Sequence, residues 1–351
     1  MKTDKPSVWV VYNHTGEDEY EKLKGVNPKT LDFNPVYKID VATAFEEYDA
    51  VRKGLEDAGF RSKLVNAEDN FQILHKAFAR TRPDAIFNLV EYFHDDPALE
   101  APVAGFFDLM RIPYTGAPHG ALTLCQKKGF TKQILAGNGI PTPHFRTLHQ
   151  PKIPRRHGLK YPLIVKPARE DASTGVTRHS VVYDHASLTA QVEKVFTEFS
   201  PPVLVEEFIE GRELHISILG NRPPRILPAI EFDFSDLPDD HPKLISYEMK
   251  WSPLDQSYHQ VHTVCPAQLT KKELRKIEEA VIPAYTLTGC RDYARIDMRM
   301  NRKGEVFILE VNPNPDLTEG VSFMESAEKG GLSFPDTLRA IVESALERKT
   351  S

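Results

Sequence analysis

The sequence predicts an α/β protein, with an open parallel sheet at its N-terminal end and a sheet-rich region closed by helices behind it. Three observations carry that expectation. Short apolar runs alternate with helical periods through the first third, the pattern of a parallel sheet with covered faces. The last third holds two strands joined by a tight polar connection, then a helix. The 351 residues, 40% hydrophobic and 27% charged, suffice for about two to three domains with packed cores. Lys+Arg 44 against Asp+Glu 50 leaves a net charge of −6, which argues against a nucleic-acid partner held by bulk charge. No apolar run approaches the roughly 20 residues of a bilayer span, so no membrane partner is expected. The chain starts with charged residues that lead straight into Val8-Trp9-Val10-Val11, with no signal-peptide core, so a cytoplasmic location is expected. Cys125, Cys265 and Cys290 are scattered and odd in number, indicating neither a disulfide framework nor a zinc site.

Residues 8–12 read as the first strand, and 13–40 shows no clear period. Phe45, Tyr48, Val51, Leu55 and Ala58 recur at steps of three and four, predicting a helix over 41–58 that Gly59 stops. Strands are expected at 61–65, 85–90 and 112–114. Helices are expected at 67–80 and at 98–110, where Val103, Phe106, Phe107 and Met110 form one stripe. Residues 121–137 read as a single helix, and the proline-punctuated stretch 141–154 as a linker or loop. Strands at 161–166, 180–183 and 203–209 accompany a helix on which Leu188, Val192, Val195 and Phe199 share a face. Leu214, Ile216 and Ile218 alternate as in a half-buried strand. Residues 233–261 are polar and without period, long enough for a lid. Thr270 and Glu273 form a capping box for a helix through Leu287, which Pro283 is expected to kink. Strands at 294–300 and 305–311 make a hairpin. Pro335 opens a terminal helix with Leu338, Ile341, Val342 and Ala345 inward.

That hairpin is the most informative feature. Residues two apart on a strand share a face, and opposed positions of an antiparallel pair keep a constant sum of residue numbers. With Asp297 opposite Glu310, Arg295 falls opposite Asn312, and four polar groups share one face. Ile296, Met298, Leu309 and Val311 then form the core face. Two carboxylates and an amide oxygen are the hard, all-oxygen set that Mg²⁺ prefers. The alternative is a solvated face carrying cross-strand salt bridges. The rigid Pro313-Asn314-Pro315-Asp316 turn at the strand end favours a binding loop. Lys166 emerges after Leu163-Ile164-Val165. The loop Glu170-Asp171-Ala172-Ser173-Thr174-Gly175 then offers hydroxyls, backbone N–H groups and a glycine that admits a phosphate. Neither GxxxxGK[ST] nor a GxGxxG after the first strand is present. Carboxylates and lysines together point to a metal-bound polyphosphate. His259 and His262 lack a third ligand at helical spacing and read as lid surface rather than a zinc pair; Cys125 and Cys265 read as packing.

Ten stretches follow one another between about residues 85 and 331. They are Phe87-Asn88-Leu89-Val90-Glu91, Ile112-Pro113-Tyr114-Thr115-Gly116, Lys128 with Thr131-Lys132 before Gly139-Ile140-Pro141-Thr142-Pro143, and Leu163-Ile164-Val165-Lys166-Pro167. Next come Arg169-Glu170 with Ser173-Thr174-Gly175, and Val205-Glu206-Glu207-Phe208-Ile209-Glu210-Gly211-Arg212-Glu213. Tyr247-Glu248-Met249-Lys250, Cys265-Pro266-Ala267, Ala294-Arg295-Ile296-Asp297 and Leu309-Glu310-Val311-Asn312-Pro313 complete the series. Their order and spacing resemble the ATP-grasp superfamily, specifically the D-alanine–D-alanine ligase-like carboxylate–amine ligases.

The resemblance implies an N-terminal, Rossmann-like pre-ATP-grasp domain on the substrate side over 1–119. Behind it would lie a two-part ATP-grasp fold: a central subdomain over 120–206 and a C-terminal catalytic subdomain over 207–351, with the lid at about 233–261. It implies ATP and two Mg²⁺ ions, with Mn²⁺ able to substitute. Lys128 and Lys166 would contact ATP phosphates, with Ser173 in the phosphate loop. Glu206, Glu207, Phe208 and Ile209 would form the adenine-side hinge, with Leu309 beside the nucleotide. Glu213 would accept the ribose hydroxyls, and Lys250 would reach the γ-phosphate. Asp297, Glu310 and Asn312 would hold the metal, and Arg295 would steady the transferring phosphoryl group, making Arg295 and Lys250 the catalytic pair. Substrate contacts would fall to Glu91, Tyr247, Arg295 and Asp316. The implied reaction joins a small, amino-acid-like carboxylate to an amine through an acyl-phosphate, in a cytoplasmic homodimer.

The chain departs from the family at its substrate end. True D-alanine ligases carry a glycine-rich first loop with a serine and a glutamate; Tyr12-Asn13-His14-Thr15-Gly16-Glu17-Asp18-Glu19 stands there. Val90-Glu91-Tyr92-Phe93-His94-Asp95-Asp96 replaces a His-Gly-containing loop, and Lys127 an aspartate. Asp316 and Val321 stand where the family has a glycine and a serine for the second substrate's carboxylate. An aspartate repels a carboxylate, so an altered pocket with a different amine is expected. Two alternatives are a genuine D-alanine–D-alanine ligase of cell-wall synthesis and a non-catalytic ATP-binding regulator. A pure binder has no need of Arg295.

Overall fold

The computed structural model describes residues 5–170 and 173–348; Asp171 and Ala172 of the expected phosphate loop lie outside the described residues. Strand β1 (Ser7–Tyr12) lies between β2 (Arg61–Asn66) and β3 (Ala85–Leu89), all parallel. Alternate β1 side chains face opposite layers, which is why the strand is apolar throughout. Val8 and Val10 pack with Val51 and Leu55 of α1 (Ala44–Asp57) and with the C-terminal helix. Trp9 and Val11 pack with Leu74 and Phe78 of α2 (Phe71–Arg80) and Phe107 of α3 (Glu100–Met110). Helix α1 starts at Ala44 because Thr43 and Glu46 close a capping box. Phe45, expected on the inner stripe, is exposed. The expected strand at 112–114 is only an isolated bridge between Ile86 and Tyr114.

The single helix expected over 121–137 is two, α4 (His119–Gln126) and α5 (Lys128–Gly137), broken at Lys127. The break puts Lys128 at the start of α5. The proline-rich linker carries β4 (Phe145–Leu148), which pairs with β7 in a sheet ordered β4-β7-β5-β6. The other members are β5 (Leu163–Pro167), β6 (Val181–Val182) and β7 (Val203–Glu207), with α6 (His185–Glu198) packed on one face.

The third sheet runs β11-β10-β8-β12-β13, with β9 on the edge of β8. Strand β8 (Gly211–Leu219) is buried on both faces rather than one: Leu214, Ile216 and Ile218 enter the core, while Glu213, His215 and Ser217 are covered on the other side. Strands β9 (Arg225–Ile226), β10 (Ile230–Asp233) and β11 (His262–Val264) flank a lid that is folded, not structureless. Phe234, Leu237, Ile245 and Val261 form its small core, and α7 (Tyr247–Trp251) is capped by Ser246. Pro283 lies inside α8 (Lys271–Leu287), which continues through it. In the hairpin, β12 (Tyr293–Asn301) and β13 (Val306–Asn312) pair Asp297 with Glu310 and Arg295 with Asn312. The register then shifts, and Met298 opposes Ile308. Leu309 is therefore the extra residue of a bulge: Ile308 takes the core position and Leu309 faces the cleft, correcting its expected place in the core. Helices α9 (Ser322–Lys329) and α10 (Phe334–Glu347) close the chain, and Leu338, Ile341 and Val342 of α10 complete the core over β1.

Gly211 opens β8 at φ +143°, where an added Cβ meets the carbonyl oxygen of Met300. Gly211→Ala is therefore expected to destabilise the protein by about 2–4 kcal/mol in urea unfolding. A cost well under that range would mean the β8–β12 edge relaxes freely.

Candidate active site

The floor of the cleft is the polar face of β8, β12 and β13. Asp297, 6% exposed, accepts from Arg295 Nε at 2.7 Å on Oδ1 and from Arg295 Nη2 at 3.0 Å on Oδ2. Asn312 Nδ2 donates to Asp297 Oδ2 at 3.1 Å and to Glu310 Oε1 at 3.4 Å. Lys128 Nζ stands 3.3 Å from Glu310 Oε2. The four groups thus converge as the hairpin register requires. Burial is the largest influence and acts to raise both carboxyls, but Arg295 with Lys250 at Asp297, and Lys128 with Lys166 and Lys250 at Glu310, together outweigh it and hold both below the usual carboxylate range. From β8, His215 brings Nε2 to 3.4 Å from Asp297 Oδ2 and pairs Nδ1 with Ser322 Oγ at 3.0 Å. Burial and the Arg295 charge push its pKa well below the ordinary value, leaving it neutral. Among the described residues no group of three or more His, Cys, Asp and Glu side chains converges as a metal set. What the face offers is two ionised carboxylates and one amide oxygen, a donor set that suits a hard dication.

The second wall comes from α5, β5 and β7. Glu206, 1% exposed, lies between Lys166 Nζ at 2.5 Å and Lys132 Nζ at 2.7 Å. Burial alone would raise its pKa; the two lysines outweigh that and lower it. Lys132 also donates to Thr142 Oγ1 at 2.8 Å, and burial pulls its pKa down to about 8. Lys128 donates to the Glu170 carbonyl at 2.6 Å. Ser173 and Thr174 line the same cleft, as do Glu207, Phe208 and Ile209 at the strand end. Glu213 accepts from Arg299 Nη1 at 2.6 Å, and burial raises its pKa against the Arg299 charge. Arg299 in turn stacks 4.6 Å from the Phe208 ring and donates to the Lys243 carbonyl of the lid at 2.9 Å.

The lid supplies Leu244, Ile245 and Lys250. Lys250 lies in the field of Asp297, Glu310 and Glu213, which oppose the lowering of its pKa by burial and by Arg295. The residues expected to bind the nucleotide line one cleft: Lys128, Lys166, Ser173, Glu206, Glu207, Phe208, Ile209, Glu213, Lys250 and Leu309, with Asp297 and Glu310. Arg295, expected at the transferring phosphoryl group, is not among the lining residues and meets the cleft through its bonds to Asp297. Asn312 lines an adjoining recess with Glu100, Lys128 and Glu310.

The expected substrate residues divide. Glu91 and Asp316 both act on Glu47, whose carboxyl is pushed up to about 7 by burial and then by Asp316. Asp316 also acts on Arg295, as do Asp297 and Glu310, so the arginine feels both sets of carboxylates. Tyr247 is exposed in a different recess with Thr174, Gly175 and Phe199. Sequence reasoning assigned no role to Lys132, His215, Arg299 or Glu47. Arg299 was findable, since it continues the two-residue period of Arg295 and Asp297. Cys125 and Cys290 sit in the core, and Cys265 is half-buried with its thiol pushed up to about 11 by burial. His259, expected on the lid surface, is buried.

A family model described as "D-ala D-ala ligase C-terminus" matches residues 134–343. A D-alanine–D-alanine ligase of Desulforudis audaxviator is 34% identical over 253 residues, 71% of this chain and 78% of that protein. An uncharacterised Sinorhizobium fredii protein, y4sG, is 28% identical over 305 residues, 86% of this chain and 87% of its own length. Among solved structures, the Bacillus anthracis D-alanine–D-alanine ligase complexed with ATP superposes with a TM-score of 0.73 at 21% identity, covering 99% of both chains. The VanG D-Ala:D-Ser ligase of Enterococcus faecalis superposes with a TM-score of 0.68 at 19% identity, covering 97% of this chain and 100% of the other. At those identities the two structures speak for the fold.

Glu47 yields a pH prediction. The unfolded chain releases this proton near the ordinary value of 4.5, whereas the folded protein holds it to about 7. Proton binding thus favours the folded state at low pH, and stability is lost as pH rises through that window. The shift corresponds to about 3 kcal/mol; discounted for solvent screening, about 1–2 kcal/mol is expected. Glu47→Gln should be more stable than the parent at pH 8 and equal to it at pH 4, measured by urea unfolding. An equal difference at both values would contradict the assignment.

Proposed function

The chain belongs to the D-alanine–D-alanine ligase family of ATP-grasp enzymes, and from that premise we propose its reaction. It is an ATP-dependent, ADP-forming carbon–nitrogen ligase, and its substrates are a small amino-acid-like carboxylate and an amine. One observation supports the reading: Asp297 and Glu310 line the cleft that also bears Lys128, Lys166 and Lys250, and Arg295 and Asn312 bond to those two carboxylates from beside it.

A carboxylate is a poor electrophile. In the proposed sequence one of its oxygens attacks the γ-phosphorus of ATP, the bond to the β,γ-bridging oxygen breaks, and ADP leaves. The amine nitrogen then attacks the acyl carbon, gives up a proton, and inorganic phosphate departs. Phosphoryl transfer needs charge neutralisation and alignment more than covalent help. Lys128, Lys166 and Lys250 bind phosphate oxygens, with Ser173 in the phosphate loop. Glu206 holds Lys166 and Lys132 in place while the Glu207, Phe208 and Ile209 backbone and Leu309 border the base. Glu213, oriented by Arg299, accepts the ribose hydroxyls. Arg295 steadies the transferring phosphoryl group. Asp297, Glu310 and Asn312 hold two Mg²⁺ ions, or Mn²⁺, which when bound supply charge neutralisation to the triphosphate. The lid keeps water from the acyl-phosphate.

This reading divides the chain into a substrate-side domain over 1–119, a central subdomain over 120–206 and a catalytic subdomain over 207–351, in a cytoplasmic homodimer. Glu91, Asp316 and Arg295 are assigned to the acceptor, whereas Tyr247, expected there too, opens into the separate recess with Thr174 and Phe199. The negative charge of Asp316 disfavours an acceptor carboxylate there, so the amine differs from D-alanine.

Asp297→Asn and Glu310→Gln are each expected to abolish turnover; near-normal ADP release from both would reject the metal face. Arg295→Ala should lower the rate on the order of 10²-fold or more while ATP affinity changes little. Parallel collapse of nucleotide binding would instead make Arg295 a binding residue. The substrate pair is tested by ADP release over a panel of amino acids, amines and carboxylates, with products identified by mass. ATP binding with no stimulated release would support a regulator, and turnover of D-alanine alone into its dipeptide would overturn the altered pocket.

A further inference from the structure

Between β1 and α1, residues 13–43 form neither strand nor α-helix, only two short 3₁₀ turns at Glu19–Leu23 and Pro28–Thr30. The nucleotide cleft uses none of this stretch. Its far end crosses to the lid, more than 220 residues away in sequence. The backbone N–H groups of Val36 and Tyr37 donate to His259 Nδ1 at 3.2 and 3.1 Å, and His259 Nε2 lies 2.9 Å from the Pro253 carbonyl oxygen. Two donors at Nδ1 assign the ring proton to Nε2, so one imidazole joins the crossing segment to the lid backbone. His259 is 3% exposed. The Tyr37 hydroxyl donates to the Val261 carbonyl at 3.0 Å and lies 2.6 Å from His262 Nδ1, while His262 Nε2 lies 2.9 Å from Asp236. Ring contacts of Phe33 with His259 and of Tyr37 with Tyr258 close the junction.

His259 and Lys250 belong to one folded unit. The turn Gln256–His259 packs on α7, which carries Lys250, and Met249 lies against the lid's own core. Fixing His259 therefore fixes the base of Lys250. A polar segment of this length with so small a core is the kind that opens locally unless tied down.

We propose that segment 33–37 is a latch that holds the lid shut through His259 and Tyr37. These two are positioning residues for Lys250, an assignment that rests on the reading in which Lys250 meets the nucleotide. Closure then couples the substrate-side domain to the phosphate end of the cleft. That gives the long β1–α1 connection a use.

The test is made on the full chain with MgATP as the probe. His259→Ala and Tyr37→Phe are compared with the parent, Lys250→Ala and His259→Asn, whose amide oxygen can replace Nδ1 as acceptor. Native-state trypsin cleavage after Lys243, an exposed lid lysine, should accelerate on the order of 10-fold in His259→Ala and Tyr37→Phe, with the global urea midpoint little changed. His259→Asn should restore protection. MgATP affinity should weaken several-fold in both latch variants, and His259→Ala should add nothing once Lys250 is alanine, a non-additivity that general loosening would not produce. Parental cleavage rates and affinity in both latch variants, or additive losses with Lys250→Ala, would overturn the latch. Lys250→Ala binding MgATP like the parent would instead overturn the phosphate role of Lys250, while the cleavage rates still report on the latch.

Discussion

Keeping charges ionised on buried side chains is the constraint on which the rest of this structure depends. An unpaired buried ion costs several kcal/mol, so each must arrive with its partner already placed. The protein meets this with alternation. Along β12, Arg295, Asp297 and Arg299 share one face, and β8 sets His215 and Glu213 opposite the last two. Across the cleft, Glu206 separates Lys132 from Lys166. Lys128 bridges the two walls, contacting Glu310 on one and the Glu170 carbonyl on the other. Each sheet supplies partners of its own, and α5 adds Lys128 and Lys132, which tie the carboxylates of the two sheets together. A triphosphate entering such a site exchanges one set of charge partners for another, which costs far less than desolvating lysines afresh.

How much of this was legible follows from how each feature is encoded. The hairpin register was readable because a two-residue period and two carboxylates determine it, and one slipped residue would bury the charges among methyl groups. The bulge was not, because Leu309 is equally plausible on a core face or against a base. The break at Lys127 carries no proline or glycine at that residue, so one helix was the natural reading of 121–137. Strand β4 was hidden by the prolines on both sides of it. Lys132, Arg299 and His215 share a different obscurity: a charged residue reads as surface until its partner's position is known, and those partners lie on other strands. The expected nucleotide residues came from the order of the motifs, while the convergence of Arg295, Asp297, Glu310 and Asn312 came from strand geometry.

The candidate site carries charge of both signs, and Arg295 feels both its carboxylate floor and Asp316. On one side are three lysines around a carboxylate floor. On the other, Glu47, Glu91 and Asp316 crowd until burial and mutual repulsion keep the Glu47 carboxyl protonated to about pH 7. In a carboxylate–amine ligase that division has a chemical logic. The triphosphate requires cations, whereas an amine arrives as an ammonium ion and must shed a proton before it attacks. An acidic region draws in such a cation, and one of its carboxylates, Asp316, acts on Arg295. If Asp316 borders the acceptor as proposed, its charge disfavours an acceptor bearing its own carboxylate. In the proposed reading, the same electrostatics that serve a triphosphate at one end would set the choice of acceptor at the other.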